Sequence, residues 1–178
     1  SLKPVSVPPN APSIIREMAL AGKLFDVGPM AAVAGSIAQH IAQKFHHLSP
    51  NLLIENGGDV YMYSETDRQI GILAHPEENL HVGLKIYKEE FPCALCASSA
   101  TIGHSLSFGR GDLVVVKANN GAIADAAATA LNNKLQNKSS LARVLKTARQ
   151  WKRKGVTGVF AQFEDEIGVW GAMELIGY

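Results

Sequence analysis

The chain is predicted to be an α+β protein with a largely antiparallel sheet and helices packed against it. Two features of the 178-residue sequence carry that prediction. Strand-like runs outnumber helical ones, and most follow one another directly instead of alternating with helices, which argues against a doubly wound parallel sheet. The run Leu113-Val-Val-Val-Lys-Ala118 is β-branched and bounded by turn residues, while Gly121-Ala-Ile-Ala-Asp-Ala-Ala-Ala-Thr-Ala-Leu131 is built on the strongest helix former.

In chain order, the proline-rich first dozen residues read as an extended arm. Pro12–Ala21 has apolar residues at helical spacing, with Gly22 as its expected stop. A longer helix is expected after Asp26-Val-Gly-Pro-Met30, with Pro29 at its first position. Ala31, Ala34, Ile37, Ala38 and Ile41 recur along it with a period near 3.6, and it should end around Phe45–Pro50. The period then changes. Asn51–Glu55, the turn Asn56-Gly-Gly-Asp59 and Val60–Ser64 read as a hairpin. Gln69–Ala74 and His81–Tyr87 are further strands, followed by Ala94–Ser99 and a Gly/Ser loop. After the alanine-rich helix, Ser140–Lys154 is predicted as an amphipathic helix capped by Gly155. Gly158–Phe163 and Ile167–Gly171 close the chain as a hairpin turning at Glu164-Asp-Glu166. No repeat or linker divides the chain, so one domain over residues 1–178 is expected.

Hydrophobic residues make up 47% and charged residues 19%, an ordinary globular balance. The net charge of +1 gives no reason to expect nucleic acid, and the basic residues are scattered except near the C-terminal third. No apolar run approaches the ~20 residues of a membrane span. No signal peptide is visible either, so a cytoplasmic location is expected, although the start without Met is consistent with a fragment. Cys93 and Cys96 stand three apart on an expected strand, where their thiols face opposite sides and cannot readily meet. They read as buried free thiols.

Three stretches could carry chemistry. Asp125 and Thr129 lie one helical turn apart, on a face of alanines that would admit another backbone or a ligand. A carboxylate above a hydroxyl is half of a hard-cation site, though one acid does not complete it, and the pair is equally an acid near a helix start beside a packed Thr. In Glu55-Asn-Gly-Gly-Asp59 the glycines allow close approach of a ligand, with Asn56 and Asp59 as hydrogen-bonding groups. The same turn could equally be chosen for its φ angles alone. The loop 98–111 concentrates hydroxyls with His104 and Arg110, a mixture suited to an oxyanion.

Taken in order, these motifs resemble the ApbE-like superfamily, whose characterised members are FAD:protein FMN transferases. Asp26-Val-Gly-Pro-Met-Ala31 is similar to the family's Asp-x-Gly-Gly-Ile-Ala. Asn56-Gly-Gly-Asp59 is similar to its flavin-contacting turn, and Ile70-Gly-Ile-Leu-Ala-His-Pro76 to the strand that follows. Ala97-Ser-Ser99 stands where the family has Ala-Thr-Ser-Gly. Ile123-Ala-Asp-Ala-Ala-Ala-Thr-Ala-Leu131 matches its magnesium helix. Two departures are visible: Ala31-Ala-Val-Ala-Gly35 has no cation where family transferases usually carry a Lys, and His104-Ser-Leu-Ser-Phe-Gly-Arg110 replaces a longer histidine motif. They place the chain in a divergent branch, of a lineage seen in anaerobes.

The resemblance implies an ApbE-like, T-fold-related architecture without its N-terminal strands, and a flavin-binding protein. It implies a Mg-dependent transfer of FMN from FAD to a protein Thr or Ser, with release of AMP. The alternative is a non-catalytic flavin- or nucleotide-binding accessory protein of redox or sulfur metabolism. In the transferase reading His104 is the catalytic base, and Asn56, Gly57, Gly58, Asp59, Ser98, Ser99, Ser105 and Arg110 contact the flavin nucleotide. Asp125 and Thr129 hold Mg²⁺. The implied partners are a flavin nucleotide and a flavin-accepting protein, with no nucleic acid and no membrane span; an oligomer is compatible with all of this.

Overall fold

The computed structural model describes residues 1–72, 82–100 and 109–177. Four α-helices and nine strands are present among them: α1 Ser13–Phe25, α2 Val33–Phe45, β1 Leu52–Asn56, β2 Asp59–Tyr63, β3 Arg68–Ile72, β4 Val82–Ile86, β5 Cys93–Ser98, β6 Leu113–Ala118, α3 Gly121–Asn132, α4 Leu141–Gln150, β7 Val156–Phe163, β8 Glu166–Gly171 and β9 Glu174–Gly177. The α+β class is observed, with every strand pairing antiparallel.

The strands form a six-stranded sheet in the order β1-β2-β5-β6-β7-β8 and a three-stranded sheet β3-β4-β9. Alternation along β6 explains how the large sheet serves two cores, one under the helices and one against the smaller sheet. Val114, Val116 and Ala118 face the helical layer, where they join Ala126, Ala128, Leu131 and Val144. Leu113 and Val115 point the other way and meet Leu84, Ile86 and Phe160 between the sheets. With both faces covered, the strand reads as an apolar run interrupted only by Lys117.

Local rules account for most boundaries. The β1–β2 turn places Gly57 and Gly58 at φ 64° and 96°, a left-handed pair that selects glycine in a two-residue hairpin. The Asn120 side chain caps α3 by accepting from Ile123 N at 2.9 Å. Cys93 and Cys96 are free, buried and divided between the two faces of the large sheet.

The structure corrects several expectations. Gly22 does not stop α1. The helix runs on to Phe25, because Gly22 is the point over which the chain doubles back: a Cβ there would lie 2.7 Å from Val27 O. Pro29 opens a short 3-10 turn, Pro29–Ala32, before α2 proper begins. The predicted 140–154 helix divides into a 3-10 turn Lys138–Ser140, α4 and a second 3-10 turn Trp151–Lys154, with Gly155 at φ 100° beyond it. Strand β9 was not expected at all. It is short and mostly exposed, and gains its place by pairing with β4 instead of from any pattern of its own. Among the described residues no helix is long and apolar enough to cross a membrane.

Candidate functional site

The site is built where two helices cross backbone to backbone. A Cβ on Gly35 of α2 would lie 2.4 Å from Gly121 O, and one on Gly121 of α3 would lie 2.2 Å from Gly35 O. No side chain fits between them. The close approach brings Asp125 against the start of α2, where its Oδ2 accepts from Gly35 N at 3.0 Å. Asp125 is not in the first turn of its own helix, which holds no acid. The helix terminus it serves is that of α2, whose own N-cap residue, Ala32, provides no side-chain cap.

The hairpin brings a second acid to the same place. Asp59, the first residue of β2, accepts from Ala97 N at 2.9 Å and lies within hydrogen-bonding reach of Asp125. Both carboxyls are buried, at 4% and 8% exposure. Burial, above all, lifts Asp59 to about 6, and Glu55 adds to the rise, while the Ala97 amide opposes it. Burial also raises Asp125 well above the usual carboxylate range, reinforced by the charge of Asp59. The two groups share a proton or share a counter-ion; two bare charges in contact there are disfavoured. The Cys96 thiol lies against them from the sheet side, and burial first, then these two carboxyls, push it up. It is a protonated neighbour and no nucleophile.

A cavity of about 510 Å³ opens over the pair. Asp59, Asp125, Thr129, Asn56, Gly57 and Ala97 line its polar side, and Met30, Val33 and Ile37 line an apolar wall. Asn56 Nδ2 donates to Ala34 O at 3.4 Å, which ties the hairpin to the first turn of α2. Ser1 and Leu2 of the arm also lie in the cavity, and the arm crosses Gly28 so closely that a Cβ there would meet Ser1 O at 1.9 Å.

Of the residues singled out in the sequence, five meet in this cavity: Asn56, Gly57, Asp59, Asp125 and Thr129. Gly58 does not line it; its amide donates to Glu55 Oε1 at 2.7 Å within the turn. Ser98 is buried on β5, where its Oγ accepts from Asn132 Nδ2 at 3.3 Å, and neither it, Ser99 nor Arg110 is among the cavity's lining. Arg110 is exposed, and its backbone amide donates to Leu135 O at 2.9 Å. His104 and Ser105 lie outside the described residues. Sequence reasoning missed the contact of Asp59 with Asp125, the glycine crossing, and the parts played by Ala97 and Asn133 in the lining. No local signal marks the first, because an acid at the end of a Gly-Gly hairpin and an acid inside an alanine helix each have an ordinary local explanation.

Residues 1–154 match the family described as AbpE bacteria. The chain belongs to this family. Its relatives include a UPF0280 protein of Methanocaldococcus jannaschii, 39% identical over 174 residues that cover 94% of this chain and 70% of that protein. Another, of Methanothrix thermoacetophila, is 37% identical over 173 residues, covering 96% of this chain and 72% of that protein. A UPF0280 protein of Methanococcus maripaludis is 43% identical over 137 residues, and the chain spans only 56% of its length. Among solved structures, an ApbE protein from Thermotoga maritima is similar with a TM-score of 0.59 and 14% identity, over 83% of this chain and 51% of that one. The flavin transferase ApbE from Vibrio cholerae gives a TM-score of 0.54 and 15% identity, over 83% of this chain and 50% of that one. At such identities the likeness establishes the ApbE-like fold, and this chain spans about half of each solved chain.

Proposed function

We propose that the protein binds a flavin nucleotide in the cavity between α2, α3 and the β1–β2 hairpin. We propose further that it transfers FMN from FAD to a hydroxyl of an acceptor protein. One observation carries the reading: Asp125 and Thr129, a turn apart on α3, open into the same cavity as Asn56, Gly57 and Asp59. The flavin transferase named among the structural neighbours supports the reaction class, and the fold supports the scaffold.

The residues present fit Mg²⁺. Carboxylates and a hydroxyl are hard oxygen donors, and two buried acids in contact call for a positive charge. Asp125 and Thr129 would hold the ion, with Asp59 beside them; when bound, it would neutralise charge on the FAD diphosphate. The chain's own groups do the rest. Met30, Val33 and Ile37 offer an apolar wall to the isoalloxazine ring, while the Asn56 carboxamide and the Gly57 backbone face its polar edge. Ser98, Ser99, Ser105 and Arg110 belong to the segment assigned to the diphosphate. An acceptor Thr or Ser oxygen forms a bond to the FMN phosphorus as the bond to the AMP oxygen breaks. His104 takes the proton of the attacking hydroxyl, and AMP leaves.

A second reading, flavin binding without transfer, is favoured by the stretch Ala31–Gly35, which carries no cation. Incubation with FAD and Mg²⁺, with AMP followed by chromatography, separates the two. AMP release that disappears in Thr129→Val supports transfer. Tight flavin binding without AMP selects the binder, and absence of both overturns the proposal.

A further inference from the structure

The net charge of +1 conceals a strong separation of charge. Residues 141–163 carry Arg143, Lys146, Arg149, Lys152, Arg153 and Lys154 and no acid. Taking these six from the chain's 17 cations and 16 acids leaves 11 and 16, so the remainder is −5. A helix C-terminus favours cations only within its last turn, which accounts for the end of this run but not for Arg143 or Lys146. Lys154 serves the fold, since its Nζ donates to Leu24 O at 2.7 Å and lies over the Phe25 and Trp151 rings. The other five form no ion pair among the described residues. Arg143, Lys146 and Arg149 follow one another at i,i+3 spacing, where like charges repel.

Three of these cations surround an aromatic ring. Arg149, Lys152 and Arg153 line a groove of about 640 Å³ together with Gln150 and Trp170 of the edge strand β8. Trp170 is half-buried, on the same side of β8 as Gly168, against which Leu141 and Leu145 of α4 pack. The apolar side of α4 is therefore already used: Leu141, Val144 and Ala148 are buried in the core. Trp170 is the one apolar side chain lining the groove with the cations, and it is half-buried and packed against the core. Little apolar surface is left to enter a lipid layer, which disfavours a membrane surface. Guanidinium and ammonium groups around an indole suit phosphates joined to flat rings.

We propose that this groove binds single-stranded nucleic acid, the phosphates meeting Arg149, Lys152 and Arg153 and a base stacking on Trp170. The site is separate from the flavin cavity, with which it shares no lining residue.

Anisotropy of a labelled oligothymidylate of roughly 20 nucleotides, titrated with the full chain, tests it. Three phosphate contacts predict a loss of affinity of roughly 20-fold between about 50 and about 200 mM salt. The triple variant Arg149→Glu, Lys152→Glu, Arg153→Glu, whose side chains have no ion-pair partner to lose among the described residues, should weaken binding at least about tenfold. It should keep the wild-type flavin affinity and far-UV circular dichroism, with a melting temperature lowered only by the loss of cations at the helix end. Trp170→Ala should weaken binding about tenfold, and Trp170→Phe less. Absence of oligonucleotide binding, or binding untouched by the triple variant, overturns the proposal. So does equal binding of AMP, of polyglutamate or of anionic phosphatidylserine vesicles.

Discussion

Two pairs of ionisable side chains lie on opposite faces of the large sheet, and they are matched differently. Lys117, 3% exposed, projects from β6 toward the smaller sheet and forms an ion pair with Glu90, whose other oxygen accepts from Tyr87 N at 2.9 Å. Opposite charges and a backbone amide complete that arrangement, and nothing further is required of it. On the helical face Asp59 meets Asp125, like against like, with the amides of Ala97, Gly35 and Ala34 and the Cys96 thiol in compensation and no cationic side chain among their hydrogen-bond partners in the described residues. The first pair locks a loop onto a sheet. The second stays incomplete until a proton or a cation joins it, and it is the one that opens into a cavity.

The largest effect should come from the helix crossing that makes the like-charged pair possible. Gly35→Ala places a Cβ against the Gly121 backbone and should destabilise the protein by roughly 3 kcal/mol. That lowers the melting temperature by about 6–12 °C in a chain of this size, as a thermal melt followed by circular dichroism would show.

Next comes the matched pair. Glu90→Gln leaves the Lys117 charge uncompensated and should cost about 2 kcal/mol in denaturant unfolding. That is below the loss for a fully buried pair because Glu90 keeps 25% exposure. Flavin affinity should not change. A variant that weakened flavin binding would erase the distinction between the two pairs.

The like-charged pair should respond to pH in the direction opposite to an ordinary salt bridge. Asp59 titrates near 6 in the folded chain against an ordinary 3.8. Its contribution is therefore fully present below about pH 4 and is lost as pH rises through about 6. Without divalent cations the melting temperature should fall between about pH 4 and about pH 6.5, and millimolar Mg²⁺ should restore part of the loss at the higher pH. Asp59→Asn should raise stability by on the order of 1 kcal/mol near neutral pH and abolish both responses. A smaller effect is expected at the thiols: Cys93, lifted by burial to about 12, and Cys96, pushed up as well, should resist alkylation until the protein unfolds.

Much of the fold was legible because its signals are local. The glycines of the β1–β2 turn, the β-branched run of β6 and the Asn120 cap each act within a few residues. Strand β9 was missed because its place depends on pairing with β4, about 90 residues earlier in the chain. Gly22 misled for the same reason: its lack of a side chain answers to Val27, which folds back over it, and not to a helix end. In the site, Asp125 and Thr129 could be paired from helical spacing alone. Their relation to Asp59 needs a sheet register and a helix crossing, and neither is written in a contiguous stretch. Gly35 and Gly121, 86 positions apart, look ordinary until their backbones touch.

The most direct test of the central claim is equilibrium dialysis of FAD against the wild-type protein and Thr129→Val, with and without Mg²⁺. Thr129 lines the cavity on α3, and valine keeps its shape while removing the hydroxyl. Flavin binding that tightens at least about tenfold with Mg²⁺ in the wild type, and loses most of that gain in Thr129→Val, is the predicted result, a coupling of about 1.4 kcal/mol or more. FAD that fails to bind under either condition, or binds equally well with and without Mg²⁺ in both proteins, would contradict it.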